Sequence, residues 1–142
     1  MRYLLDVNVL VALAFPGHEF HGKAHSWFRR EPRRQWATCA LTQAGFLRVA
    51  SRMLGGSHRA VRDALAGLEK DCHSPQHEYW SVDTDLRELS DSVRARLTGH
   101  NQITDMQLLM LAHRRAGQVV TFDSGLRELA SGTRYADSTM LL

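Results

Sequence analysis

The stretch YLLDVNVLVAL, Tyr3 to Leu13, decides how the chain is read. Its apolar opening resembles a short leader, but Asp6 and Asn8 interrupt it and break any leader-like core. A strand over Tyr3–Leu5 that ends at Asp6 and runs into a helix accounts for the same residues better. Working outward, three more apolar runs share the character of the first: Trp36–Cys39, Glu78–Val82 and Val119–Phe122. None alternates cleanly with polar residues, which is the pattern of strands covered on both faces.

Helical stripes fill the intervals. Phe20, Ala24, Trp27 and Phe28 form one, and Phe46, Val49, Ala50 and Met53 a second. Val61, Ala64, Leu65 and Leu68 form a third, and Leu86, Leu89, Val93 and Leu97 a fourth; most of these side chains are expected in the core. Asp105–Ala116 is apolar on nearly every side and predicts a central buried helix. Thr104 and Gln107 have capping-box spacing at its start, and Gly117 follows its end. Strands alternating with helices predict a parallel sheet with helices on both faces, and right-handed crossovers bring every strand C-terminus to one edge.

The 142 residues fit a single domain over 1–142, with 44% apolar and 23% charged side chains, as in ordinary soluble proteins. No apolar run approaches the roughly 18 residues of a membrane span. A cytoplasmic protein with no membrane partner is therefore expected. The net charge of +3 permits a polyanionic partner without demanding one. Nearly all the cations are arginines, and Arg29, Arg30, Arg33 and Arg34 make the densest basic run. Such a run guides RNA or simply solvates a helix end. Cys39 and Cys72 lack metal or disulfide spacing and read as apolar packing residues.

Ligands of open α/β sheets bind beyond the strand C-termini. Asp6 ends the first strand, Asp123 follows Val119–Phe122, Asp105 opens the buried helix, and Gln43 sits in the first turn after Trp36–Cys39. One aspartate at a helix start is usually a cap, and one after a strand is usually a turn residue. Three at one edge repel each other and call for a hard cation, Mg2+ or Mn2+ rather than zinc. Such an ion polarises a phosphoryl oxygen and acidifies a bound water, so the expected reaction is phosphodiester hydrolysis.

YLLDVNVLVAL, WATCALTQAGFLRV, ITDMQLLMLA and VVTFDSGL, in this order and spacing, resemble the motifs of PIN domains of the VapC type. The resemblance covers essentially the whole chain. It implies a PIN-like three-layer α/β/α fold with a central parallel sheet of four to five strands. It also implies a metal-dependent endoribonuclease, the toxin of a toxin–antitoxin pair, acting on tRNA or rRNA. Its catalytic, metal-binding acids fall on Asp6, Asp105 and Asp123. Asn8, Thr104 and Thr121 match polar positions beside those acids. A homodimer and a VapB-like antitoxin are implied as partners. Similar proteins commonly carry a glutamate where this chain has Gln43, which removes one charge and weakens any second metal site. Arg48, one turn beyond Gln43, is placed to meet phosphate or to stay solvent-exposed.

Alternative readings fit less well. His21 and His25 have i, i+4 ligand spacing, but the glutamate of HExxH is missing and no third ligand is set by spacing. A phospho-acceptor domain needs a lysine at the late strand edge, and Lys23 and Lys70 are badly placed for that. A degenerate PIN-like domain that binds RNA or a protein without cutting is the remaining alternative, and Gln43 is the reason to keep it.

Overall fold

A computed structural model describes all residues from Met1 to Leu142. The chain runs β1 (Arg2–Leu5), α1 (Val7–Ala14), α2 (His21–Arg29), β2 (Gln35–Cys39), α3 (Ala40–Met53) and α4 (His58–Cys72). It continues through β3 (His77–Trp80), α5 (Asp91–Arg94), α6 (Gln102–Arg114), β4 (Gln118–Thr121), α7 (Ser124–Ala130) and β5 (Thr139–Leu141). All strand pairs are parallel, in the order β3-β2-β1-β4-β5. The fold is the expected three-layer α/β/α arrangement. Its fifth strand, β5, follows a short 3-10 turn at Ala136–Ser138 that no apolar run announced.

Strand alternation splits the core in two. Leu4, Ala37, Cys39 and Val119 face one way and pack with Met106, Leu109, Leu111 and Leu126 of α6 and α7. Tyr3, Leu5, Trp36 and Val120 face the other way, against Val9, Leu10, Trp27, Phe46 and Leu68 of α1 to α4. Both faces are thus covered along β1, β2 and β4, which is why those strands carry no polar alternation, whereas Glu78 and Tyr79 of the edge strand β3 are exposed. Deleting a fully buried side chain such as Leu109 would cost about 2–5 kcal/mol in lost burial and cavity. No helix is long and apolar enough to cross a membrane.

Several expectations are corrected. Val61 and Leu65 keep helical spacing but are half exposed on α4, as is Met53 on α3. Phe20, placed in the core stripe, lies at the N-terminal boundary of α2 and is exposed. The Leu86–Leu97 helix is broken into a 3-10 turn at Leu86–Glu88 and the short α5, because Leu89 and Ser90 are extended. Leu89 and Val93 remain buried.

Helix α6 begins at Gln102, not at Asp105. The Gln102 side-chain oxygen accepts from the backbone N–H of Thr98 (2.7 Å) and Gly99 (3.3 Å), closing the turn that leads into the helix. The capping box at Thr104 and Gln107 is therefore not formed. Thr104 is exposed, and Gln107 Nε2 donates to the Thr84 carbonyl at 3.0 Å.

At the other end, Ala116 takes the left-handed conformation (φ 50°), while Gly117 N–H reaches back to the Ala112 carbonyl at 2.9 Å. Gly117 is needed for space. A Cβ there would stand 2.7 Å from the Arg2 carbonyl oxygen and 2.8 Å from the Trp80 ring.

Candidate metal centre at the sheet edge

β1 and β4 are neighbours, so their C-terminal ends bring Asp6 and Thr121 together across 115 residues of sequence. The Asp6 backbone N–H extends the ladder by donating to the Val120 carbonyl at 3.0 Å. Its Oδ1 accepts from Val7 N–H at 2.7 Å, capping α1, and its Oδ2 accepts from the Thr121 hydroxyl at 2.6 Å.

Thr121 is wholly buried and is the hub of the edge. Its oxygen donates to Asp6 and accepts from Asn8 Nδ2 (3.1 Å) and from the Asp123 backbone N–H (3.0 Å). One donor and two acceptors use the hydroxyl fully. Asn8 closes the ring, with its Oδ1 accepting from Phe122 N–H at 3.2 Å. Asp123 starts α7 and accepts from Gly125 N–H at 2.8 Å.

Asp105, in the first turn of α6, is half-buried and its carboxylate has no hydrogen-bond donor. Burial first, and then the charges of Asp6 and Asp123, push its pKa up to about 6. Burial also raises Asp6, opposed by its bonds from Thr121 and Val7 and assisted slightly by the charge of Asp123. The three acids therefore feel one another at one sheet edge, although they do not close into a group that would ligate one ion directly. An all-oxygen donor set with an undonated, partly buried carboxylate fits a hard cation that keeps part of its water shell.

Gln43 is half-buried in the first turns of α3, and its Nε2 donates to the Thr38 hydroxyl at 2.9 Å rather than to any of the three acids. Thr38 also shares a hydrogen bond of 2.9 Å with His77 Nε2, and burial lowers the pKa of His77. This Thr38–His77 support was missed in the sequence. The pair is a diagonal across the β2–β3 register, where Trp36 faces His77 and Thr38 faces Tyr79.

Arg48 is exposed on α3 and its guanidinium makes no hydrogen bond or ion pair, so nothing ties it to the acids. Arg114 and Arg115 bind Asp83, and Arg114 also pairs with Glu88 (3.5 Å), as structural cations. His21 Nδ1 and His25 Nε2 meet the Ala12 and Leu13 carbonyls at the end of α1, at 2.7 and 3.0 Å.

A parallel α/β domain that gathers acids at the C-terminal edge of its sheet is the class defined by this geometry. The pattern of the PIN domain matches residues 3–132, and the chain belongs to the PIN-domain family. Among curated proteins of Mycobacterium tuberculosis strain H37Rv, it is 40% identical to Ribonuclease VapC44 over 126 residues, 89% of each chain. It is 37% identical to Ribonuclease VapC39 over 132 residues, 92% of this chain and 95% of the relative. It is 40% identical to Ribonuclease VapC38 over 128 residues, 89% of each. These relatives put the chain in the VapC-type branch of the family.

Proposed function

We propose that the chain is a metal-dependent endoribonuclease that hydrolyses phosphodiesters of tRNA or rRNA and acts as the toxin of a toxin–antitoxin pair. The observation that carries this reading is the electrostatic crowding of Asp6, Asp105 and Asp123 at the end of β1 and β4. Kinship with proteins named ribonuclease VapC supports it.

Asp6 and Asp105 would hold Mg2+ or Mn2+, directly or through water, with Asp123 at the outer side. An ion held there would supply charge stabilisation at a phosphoryl oxygen and would acidify a water for attack. The residues supply placement. Thr121 and Val7 N–H fix the Asp6 carboxylate, and Asn8 fixes Thr121 and the Phe122 backbone. Asp105 has no competing donor, so its oxygens are free for the ion and its waters. Gln43 keeps the size of a glutamate without its charge, which favours one firmly held ion.

In-line attack that expels the 3′ oxygen leaves a 5′-phosphate and a 3′-hydroxyl. The partners that go with this reading are a VapB-like antitoxin and a second copy of the chain. The test is cleavage of total RNA by antitoxin-free protein in Mg2+ or Mn2+ against EDTA, with Asp6→Ala as the control for contaminants. Metal-dependent cutting that disappears in the variant supports the assignment. Cutting retained by the variant, or a 2′,3′-cyclic phosphate product, overturns it.

A further inference from the structure

Beside Asp123 lies an aromatic step that the acids do not use. Phe122 precedes Asp123 and is held by the bond from its N–H to Asn8. The ring of Phe20 stacks on it, with centroids 4.6 Å apart and planes within 18°. Phe20 is 37% exposed, so the stack presents aromatic surface to solvent beside the acidic edge. The turn that carries Phe20 is fixed by its backbone N–H, which donates to His18 Nδ1 at 3.1 Å.

Cations continue from this step. Lys23 places its ammonium 6.0 Å from the centre of the Phe122 ring. Lys23 and Arg30 both line an open groove of about 730 Å3 that runs along α2 toward β5. They stand seven positions apart, two helical turns, so they share a helix face about 10 Å apart. Arg34, at the far end, is buried over the Trp27 ring at 4.0 Å and pairs with Glu31 at 3.3 Å, yet its Nε has no acceptor. The groove therefore keeps a net positive lining, with Lys23, Arg30 and Arg34 against Glu31.

We propose that the Phe20–Phe122 stack is a landing platform for one unpaired base of a single-stranded RNA, and that Lys23 and Arg30 take the adjoining backbone phosphates along α2. The assignment rests on the nuclease reading and deepens it, since it names an unstacked base beside the cleaved bond as the feature recognised. A flat aromatic face with two exposed cations beyond it on one helix face suits a stacked base with backbone phosphates alongside, and stacking of this kind is tolerant of base identity. Duplex RNA keeps its bases stacked inside and offers nothing to the platform.

The test is binding of a single-stranded RNA of about 12 nucleotides, within the usual site size, followed by fluorescence anisotropy in Ca2+. Thermal unfolding and cleavage in Mg2+ are measured on the same proteins. Phe20→Ala is expected to weaken binding about 10-fold, Phe20→Trp to restore it, and Phe20→Leu to keep the packing but not the affinity. Lys23→Ala and Arg30→Ala should each flatten the dependence of log affinity on log salt by about 0.7.

Equal affinity for wild type, Phe20→Ala and Phe20→Leu overturns the platform while leaving the nuclease reading intact, provided wild type still cuts. A wild-type protein that neither binds nor cuts RNA overturns both. If RNA binding is unchanged and the variants instead lose an antitoxin, the face serves a protein and the proposal fails.

Discussion

Replacing Asp105 with asparagine should make the metal-free protein more stable. A folded pKa of about 6 against an ordinary 3.8 means that the native state holds a proton the unfolded chain gives up. Stability is therefore highest at low pH and is lost as pH rises through that interval, with the full penalty present above about pH 6. The difference corresponds to about 3 kcal/mol at 1.36 kcal/mol per pH unit. Asp105 is only half-buried, so solvent screening reduces this to about 1–2 kcal/mol. The favourable placement of a carboxylate in the first turn of α6 returns about 0.5 kcal/mol. Asp105→Asn should thus gain about 1 kcal/mol at pH 7.5 in EDTA, a rise in Tm of about 3 °C. Scanning calorimetry in EDTA across pH 4.5 to 7.5 measures it, and the gain should shrink to about a third at the acid end. In Mg2+ the order should reverse, because only the wild type gains from binding the ion. A variant that is less stable in EDTA, or a gain that ignores pH, would refute the reasoning.

Three further substitutions probe the surrounding structure. Thr121→Val keeps the shape but strips Asp6, Asn8 and Asp123 N–H of their shared partner; urea unfolding should show a loss of about 2 kcal/mol, and unchanged stability would contradict the hub. Ala116→Gly relieves the left-handed conformation at the end of α6 and should stabilise by about 0.5–1 kcal/mol in the same assay, whereas a destabilised variant would count against the motif. Gln43→Glu restores a fourth negative charge and should tighten Mg2+ binding in calorimetric titration; weaker binding would show that the missing charge is not what limits the site.

The sheet was legible because β1 and β4 are built on short apolar runs, Tyr3–Leu5 and Val119–Val120, and an acid follows each strand, Asp6 directly and Asp123 after Phe122. Helix α6 was legible because Leu108 to Ala112 leave it no solvent face. Its start was not, since the turn is closed by the Gln102 side chain reaching backward, and any of several polar residues there could have done so. Helical spacing put Val61 and Leu65 on one face but could not say that nothing covers it. The link from Gln43 through Thr38 to His77 depends on the β2–β3 register, which only the assembled sheet fixes. Thr121 was marked as a neighbour of the acids by resemblance. Its use of every hydrogen-bonding position became visible only with the strand pairing.

The placement of β1 at the middle of the sheet sets a condition on synthesis as well as on structure. Asp6 is made 115 residues ahead of its hydroxyl partner Thr121, which arrives with the neighbouring strand β4, Gln118–Thr121, and Asp123 follows. A ribosome-bound fragment that stops short of β4 therefore has Asp6 and Asp105 but lacks Asp123 and the β1–β4 edge that gathers the three. Contacts this distant along the chain also close slowly. A growing copy of the protein thus carries no assembled acidic centre beside the ribosomal RNA of the machine that is making it, and acquires one only after β4 has emerged.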